Sequence, residues 1–278
     1  MNIPCKDFNL AATLDSGQVF GFAREENGAY RGNLLGEPCE VWQIGDTVHV
    51  SSTKQMKPEH VRRYFDLDFD LSSVYTHLKE IPASDPDWFD SVRGLRLIRQ
   101  DSWEALACFI LSSNNNVKRI QGIYKNLVEY FSRRARRQVP VFPSSGEIAK
   151  THERILRQIG LGYRAPFLQR SAQFLSVNPD YLSVIQDSEY EQAIERIISF
   201  PGIGPKVADC VFLYGFHGLE AFPVDVWMLR VMRKLYFKNR GVSEKRVHAF
   251  GRKKWGSLAG YVQQYLFHSA RTGILFRP

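Results

Sequence analysis

The chain has 278 residues, of which 44% are hydrophobic, so it is long enough to bury a core in two or three domains. No window is apolar enough to cross a bilayer, and the first residues lack a basic stretch leading into an apolar run. We therefore expect a cytoplasmic protein, or a nuclear one if the source is eukaryotic. The net charge of +8 is uneven: residues 1–90 carry 8 Lys and Arg against 15 Asp and Glu, and residues 91–278 carry 29 against 14. This imbalance predicts that the second part binds a polyanion, with an ordinary solvated basic surface as the alternative.

Short β-prone runs occupy the first part of the chain, at residues 18–25, 29–35, 39–44 and 47–51, and turn-forming residues separate them. This spacing predicts an antiparallel meander. Residues 58–65 and 71–78 have helical periodicity, and residues 81–86 have the composition of a connector. We therefore predict a β-rich N-terminal domain at residues 1–90.

Helical periodicity dominates the remainder of the chain. The predicted helices span residues 103–111, 117–131, 145–158, 165–175, 190–200, 205–216, 226–236 and 261–268. The fold class is therefore α+β, with an antiparallel β-rich N-terminal domain followed by a mostly α-helical domain at residues 91–278. A basic run at residues 133–137 ends one of these helices, where the helix dipole favours cations, so it needs no DNA-binding role.

A helix–hairpin–helix is predicted at about residues 190–216, because the sequence PGIGP at 201–205 joins two helical segments directly. Gly202 and Gly204 permit a tight turn, and Pro205 suits the first position of the second helix. The free amides of such a hairpin can bind a phosphate without reading a base. The alternative is a plain helical hairpin in which the glycines serve the turn alone.

Lys206 and Asp225 are the candidate reactive residues of the chain. Lys206 lies at the first turn of the second hairpin helix, where the dipole opposes its charge, so we expect a lowered pKa and a nucleophilic amine. Asp225 precedes the helix at 226–236 and is first of all an N-cap, but its carboxylate could also stabilise a cationic sugar. A surface lysine or a phosphate contact is the alternative for Lys206.

Six motifs in the same order give the chain a family resemblance: SGQVF (16–20), SSNNNVKRI (112–120), GLGYRA (160–165), FPGIGPKVADC (200–210), PVDVWMLR (223–230) and WGSLAGYVQQYLF (255–267). Together they resemble the 8-oxoguanine DNA glycosylases of the helix–hairpin–helix, Gly/Pro-Asp superfamily. The resemblance implies that Lys206 attacks C1′ of the damaged nucleotide, forms a Schiff base and promotes strand cleavage by β-elimination. Asp225 would stabilise the cationic sugar. Cys210 would pack on the flipped base, and a thiolate would suit the neighbouring ammonium.

The resemblance also implies two sets of DNA contacts. The carbonyl of Gly17 would accept a hydrogen bond from the N7–H that oxidation gives to guanine, while Gln263 and Phe267 would read and stack on the base. The residues that would surround the cytosine left behind are Asn114, Arg119, Tyr163 and Arg164. The implied partner is double-stranded DNA containing oxidised guanine. We expect a monomer that needs no cofactor, with a possible cation between the hairpin carbonyls and a phosphate.

The chain departs from this family at a pair of positions. Eukaryotic members typically have a histidine where this chain has Trp227, and an aspartate pairing with it where this chain has Ala270, which puts base contacts nearby in doubt. Related glycosylases with an iron–sulfur cluster carry four close cysteines, whereas Cys5, Cys39, Cys108 and Cys210 are scattered and indicate neither a cluster nor a disulfide framework. The competing hypotheses are a monofunctional glycosylase of the same fold, which would lack the lysine, and a non-catalytic DNA-binding module.

Overall fold

The computed structural model describes residues 1–83 and 87–275, and within them the N-terminal part is a five-stranded antiparallel sheet. Its strand order is β1-β5-β4-β3-β2. The strands are β1 (Asn2–Pro4), β2 (Ala23–Arg24), β3 (Tyr30–Leu34), β4 (Glu37–Ile44) and β5 (Thr47–Ser52). The predicted meander is confirmed for β3 to β5. The strand predicted at 18–25 is reduced to β2, and β1 was not predicted.

One face of the sheet is buried because apolar side chains alternate along its strands. Val41 of β4 pairs with Val50 of β5, and both are almost fully buried together with Val48 and Leu34. This face packs against α1 (Leu10–Leu14) and α2 (Pro58–Tyr64). The sheet therefore has its own core.

The remainder of the described chain is helical, so the predicted α+β class is confirmed. The helices are α3 (Ser72–Lys79), α4 (Ser102–Ser112), α5 (Val117–Arg134), α6 (Ser145–Ala149), α7 (Glu153–Leu156), α8 (Ala165–Val177), α9 (Tyr181–Gln186), α10 (Tyr190–Ile198), α11 (Pro205–Gly215), α12 (Val226–Tyr236), α13 (Glu244–Trp255) and α14 (Ala259–Arg271). The single helix predicted at 145–158 was wrong: α6 ends at Ala149, and α7 begins after an N-cap at His152. The prediction also missed α1, α9 and α13.

The two parts of the chain interlock. Helix α3 lies before residue 90 yet packs against α14 and shares the core of the helical part, whereas Ile98 joins the core of the sheet. Buried polar contacts cross between the parts, such as the Tyr261 hydroxyl donating to Asp66 Oδ2 at 2.8 Å. The domain boundary near residue 90 stays a prediction, and residues 84–86 of the predicted connector lie outside the described residues. Of the helices in the described ranges, none is long and apolar enough to span a membrane.

Candidate active site

The hairpin between α10 and α11 uses its two glycines differently. Gly202 has a φ of +79°, which an L-residue rarely adopts, and a Cβ there would lie 2.4 Å from the Phe167 ring. Gly204 has an ordinary φ of −102° and open space where a Cβ would be. It is the N-cap of α11 and offers no side chain to the first-turn amides. Structure therefore requires Gly202, whereas Gly204 leaves the helix N-terminus accessible to an anion.

Helix α11 brings Lys206 and Cys210 to one side, because residues four apart share a helix face. Both line a cavity of about 50 Å³ together with Asp225. Asp225 is the N-cap of α12, where its Oδ1 accepts the amide of Met228 at 2.8 Å. The cavity also contains Gly17, Gln263 and Phe267, and its remaining walls are Phe109, Tyr214 and Pro223. All six residues proposed for catalysis and base binding therefore meet at one place.

The pKa of Lys206 lies above its ordinary value, because its electrostatic interactions with Cys210 and Asp225 and a hydrogen bond with Cys210 outweigh the burial that disfavours the ammonium. The expectation of a pKa lowered by the helix dipole was therefore wrong. That argument considered only the dipole of α11 and left out Cys210, which lies one turn along the same helix and is the largest cause of the shift, and Asp225 at the start of α12. Lys206 is accordingly an ammonium in the free protein at neutral pH.

Cys210 is a neutral thiol at physiological pH. Burial raises its pKa to about 11, even though Lys206 beside it acts in the opposite direction. The implied thiolate is therefore wrong for the free protein, and Cys210 presents an apolar surface to the cavity.

Gln263 lies in α14 with its side chain buried. Its Nε2 donates to the Pro223 carbonyl at 3.1 Å, whereas its Oε1 has no partner within the described residues. A buried oxygen without a donor costs free energy, so it favours a ligand that brings a donor into the cavity. Phe267, half-buried on the same helix, lies under the Arg271 guanidinium at 5.7 Å.

Gly17 reaches the cavity because the segment that carries it is tied to the start of the helical part. Gly17 has a φ of +84°, a conformation that favours glycine. The next residue, Gln18, is fully buried, and its Nε2 donates to the Arg96 carbonyl at 2.8 Å while its Oε1 accepts the Ile98 amide at 2.8 Å. These bonds hold an early segment beside α11 and α14.

The residues proposed to surround the cytosine lie together at a second place. The Tyr163 hydroxyl and the Arg164 Nε donate to the same Ser113 carbonyl, at 3.2 and 2.8 Å. Tyr163 is 48% exposed, and Asn114 and Arg119 are also exposed. Arg164, however, is buried and bonds the carbonyls of Ser113 and Asn114. In this structure it fixes the loop and does not present its guanidinium to solvent.

The triple asparagine is mostly used for local structure. Asn116 is the N-cap of α5 and accepts the Arg119 amide at 3.0 Å, and Asn115 donates to the Leu111 carbonyl at 3.1 Å. Asn114 has a φ of +48°, a conformation that asparagine tolerates better than most residues. Two of the three amides therefore have structural roles, and Asn114 remains as the candidate for contact with DNA.

Sequence reasoning missed residues that support the cavity. Tyr214 donates to Gln264 Oε1 at 2.5 Å, and Gln264 Nε2 donates to the carbonyl of Ser16, next to Gly17, at 3.4 Å. The spacing of 206, 210 and 214 along one helix face was the signal for Tyr214. Asp209 is a further buried residue of α11: its carboxylate accepts the Tyr190 hydroxyl at 2.5 Å and lies 2.9 Å from His248 Nε2.

Two further observations on the described residues favour the cavity of about 50 Å³ as the reactive site. A larger cavity of about 670 Å³ between the β2–β3 edge and α5 contains neither Lys206 nor Asp225, so volume does not mark the chemistry. Within residues 1–83 and 87–275, no three His, Cys, Asp or Glu side chains cluster as a metal site would require. The ionisable side chains that line the small cavity are Lys206, Cys210, Tyr214 and Asp225.

Two protein-family models match the chain. One is described as the N-terminal domain of 8-oxoguanine DNA glycosylase and matches residues 1–106, and the other as a base excision DNA repair protein of the HhH-GPD superfamily and matches residues 107–257. The family resemblance in the sequence motifs is thereby confirmed.

Relatives match the chain over nearly its full length. A probable N-glycosylase/DNA lyase of Methanothermobacter thermautotrophicus is 32% identical, with 100% of this chain and 98% of the relative covered. An N-glycosylase/DNA lyase of Saccharomyces cerevisiae is 33% identical, with 83% of this chain and 70% of the relative covered. The solved 8-oxoguanine glycosylase/lyase of Clostridium acetobutylicum, in complex with double-stranded DNA containing cytosine opposite 8-oxoguanine, superposes with a TM-score of 0.86. It is 31% identical, with 98% of each chain covered.

Proposed function

The chain belongs to the HhH-GPD superfamily of base excision DNA repair proteins, and we propose that it is a bifunctional DNA glycosylase and lyase that removes 8-oxoguanine from double-stranded DNA. The observation that carries the proposal is one cavity holding Lys206, Asp225 and Gly17. An amine, a carboxylate and an accessible backbone carbonyl are the groups that this reaction needs. The target base is inaccessible in a stacked duplex, so the nucleotide must be flipped out, and the cavity of about 50 Å³ must widen to admit it.

Lys206 acts as the nucleophile. Its neutral amine attacks C1′, the glycosidic bond breaks, and the bonding electron pair leaves with the base, which takes up a proton. The amine gives up its two protons, one to the departing base and one to O4′, as the C1′–O4′ bond breaks and the sugar ring opens to an imine. Removal of a C2′ proton then expels the 3′ phosphate by β-elimination and nicks the strand. Asp225 stabilises the positive charge that develops on the sugar.

Recognition of the lesion depends on a single proton. Guanine N7 accepts hydrogen bonds, whereas the oxidised base carries N7–H, so the Gly17 carbonyl attracts the lesion and repels the normal base. Gln263 offers an unpartnered Oε1 to the Watson–Crick edge, where the exocyclic amine is a donor. Phe267 and Cys210 supply apolar surfaces for the ring.

Contacts outside the cavity hold the opened duplex. Asn114, Arg119 and Tyr163 contact the orphaned cytosine, and Arg164 joins them once it releases the 113–114 loop. The hairpin around Gly202 and Gly204 binds a phosphate with its amides. The chemistry needs no cofactor, although a cation bridging the hairpin carbonyls and phosphate would strengthen the contact. The protein works as a monomer at the nucleoid of a prokaryote or in the nucleus of a eukaryote.

Borohydride trapping tests the mechanism directly. A duplex with 8-oxoguanine opposite cytosine is incubated with the wild type and with Lys206→Gln in the presence of borohydride, which reduces the imine to a stable covalent bond. We expect a covalent complex with the wild type and with the control Lys245→Gln, but none with Lys206→Gln. Repeating the wild-type reaction with a chelator tests the proposed cation.

Each competing function gives a different result. If the base is released but none of the three proteins is trapped, the result would indicate a monofunctional glycosylase that activates water. Binding of the duplex without base release would indicate a non-catalytic module. Trapping that persists in Lys206→Gln would assign the nucleophile to another amine.

A further inference from the structure

A separate cavity of about 360 Å³ extends along α12, from Trp227 on its first turn to Asn239 beyond its end. It is lined by Trp227, Arg230, Val231, Arg233, Lys234, Asn239 and Ala270. The two positions at which the chain departs from the eukaryotic pattern, Trp227 and Ala270, therefore line one cavity. A volume of this size falls within the roughly 300–1,000 Å³ that is usual for small-ligand sites.

Trp227 is placed unlike an ordinary core tryptophan. It is 44% exposed, whereas Trp88, Trp103 and Trp255 are buried. The Arg230 guanidinium lies 5.7 Å from the centre of its ring. Arg230 thus places a positive charge beside an exposed aromatic surface.

The charge of the cavity selects an anionic occupant. Among the described residues that line it, Arg230, Arg233 and Lys234 are cationic and none is acidic. Arg233 Nη2 donates to the Val242 carbonyl at 2.9 Å, which fixes the guanidinium, while its buried Nε has no partner within the described part of the chain. A fixed guanidinium with a donor to spare suits a phosphate oxygen.

The position of the cavity identifies the strand that would enter it. Trp227 follows Asp225 by two residues on the first turn of α12, and Asp225 lines the reactive cavity. Successive nucleotides of one strand are separated by a rise of only about 3.4 Å. A nucleotide adjacent to the flipped lesion on the same strand therefore lies within reach of this cavity.

We propose that the cavity is a second nucleotide subsite, in which the base next to the lesion stacks on Trp227 and a neighbouring phosphate is bound by Arg230 and Arg233. The proposal rests on the proposed function, because it assumes that the lesion occupies the reactive cavity. Aromatic stacking tolerates any base, so the subsite adds affinity without adding sequence preference. It also holds the strand away from its partner on one side of the lesion.

Photocrosslinking and affinity measurements test the subsite in a Lys206→Gln background, where no bond is cleaved. 5-Iodouracil is placed on either side of the lesion, irradiated, and the linked peptide is identified by mass spectrometry. We expect a crosslink to Trp227 from one flanking position. Replacing Trp227 by Ala is expected to weaken duplex binding at least about fivefold, as loss of one stacked base would. Trp227→Phe should recover most of that affinity.

Val226→Ala is the matched control, because Val226 is 58% exposed on the same turn and does not line the cavity. Equal affinities for Trp227→Ala and Val226→Ala, or no crosslink to residue 227, would overturn the subsite. The proposed function has its own readout in the same titrations, namely the preference for 8-oxoguanine over guanine opposite cytosine. Loss of that preference with the crosslink intact would overturn the proposed function, whereas loss of the crosslink with the preference kept would overturn the subsite alone.

Discussion

Lys206 combines two properties that conflict in the free protein. A nucleophile must be neutral, yet Cys210 and Asp225 raise the pKa of this amine. Because the Cys210 thiol is itself neutral at physiological pH, Asp225 is the charge that matters there. The same carboxylate that would stabilise a cationic sugar thus adds to the pKa of the attacking amine. A variant that removes the charge of Asp225 and keeps its shape separates its effect on the sugar from its effect on the pKa of Lys206.

Replacing Asp225 by Asn should slow excision and shift its pH dependence. We expect base excision to fall roughly 10²- to 10⁴-fold, because the developing positive charge loses its counter-charge. The pKa of Lys206 should fall, since Asp225 raises it. A larger neutral fraction of the amine then exists at any pH below that pKa. Imine formation at a preformed abasic site should therefore extend to lower pH, as borohydride trapping across a pH series would measure.

The two substrates give this test its control. An abasic site has already lost its base, so trapping there reports the amine alone, whereas 8-oxoguanine also requires bond cleavage. If Asp225→Asn traps abasic DNA over the same pH range as the wild type, the carboxylate does not set the pKa of Lys206. If it excises 8-oxoguanine at the wild-type rate, Asp225 has no role beyond capping α12.

The sequence identified the reactive residues, but it did not predict the environments in which their side chains lie. The motif at 200–210 and the aspartate at 225 indicated the reactive pair, because both lie beside turn signals. The direction of the Lys206 pKa shift was not predicted, since it depends on how the interactions with Cys210 and Asp225 balance the burial of the amine in the folded chain. The burial of Arg164 was likewise not predicted, because its partners, the carbonyls of residues 113 and 114, are 51 and 50 positions away in sequence.

At the scale of elements, the hairpin contains one glycine that folding requires, Gly202, and one that it does not, Gly204. Gly202 meets the Phe167 ring and has a left-handed φ, whereas Gly204 has neither constraint. A glycine that folding does not require, at the open N-terminus of α11, is best explained by close approach of a ligand.

Alanine substitution should therefore mainly lower stability at Gly202 and mainly weaken DNA binding at Gly204. Gly202→Ala should lower the free energy of unfolding by at least about 1–2 kcal/mol, from the left-handed backbone alone. Gly204→Ala should change it by no more than about 1 kcal/mol, the range expected for an N-cap. It should nevertheless weaken DNA binding, because a methyl group would occupy the space a phosphate needs. Thermal unfolding and titration with duplex DNA at several salt concentrations measure the two effects.

The pair of variants serves as its own control for damage to the hairpin. Unchanged DNA affinity in Gly204→Ala would remove the phosphate site from this turn. A loss of affinity accompanied by an equal loss of stability in both variants would mean that the turn geometry, and not the open amides, explains binding.

Element boundaries were predictable where turns and periodicity agree, as for β3 to β5 and for α10 to α12. They failed between α6 and α7 because Ile148, Ile155 and Leu156 keep a helical rhythm across the break. The break itself is made by local polar bonds: the Thr151 hydroxyl donates to the Glu147 carbonyl at 2.9 Å, and His152 Nδ1 accepts the Arg154 amide at 3.1 Å. Side-chain bonds of this kind leave little trace in hydrophobic periodicity.

At the scale of the whole molecule, the reactive cavity depends on the junction between the sheet and the helices. Gln18 and Arg96 lie at this junction and are both buried. Arg96 donates to the carbonyls of Asp66 and Phe69, at 2.7 Å each, and Gln18 bonds both the carbonyl of Arg96 and the amide of Ile98. Gly17 is therefore positioned by contacts between segments that are 78 and 80 residues apart in sequence. This dependence also explains why two separate cores do not imply two independent units.

Gln18→Ala should weaken both folding and catalysis without removing any group that touches DNA. It leaves the Ile98 amide buried and unpaired, at a cost of about 1–3 kcal/mol, and frees the Gly17 carbonyl from its fixed position. Discrimination between 8-oxoguanine and guanine should fall, measured as the ratio of their excision rates.

The matched control is Gln43→Ala. Gln43 accepts the Leu10 amide at 2.8 Å and donates to the Phe8 carbonyl at 2.7 Å, but these contacts stay within the N-terminal part. It should lose stability and keep its discrimination. Equal discrimination in the two variants would show that the junction supports the fold but does not position the lesion-reading carbonyl.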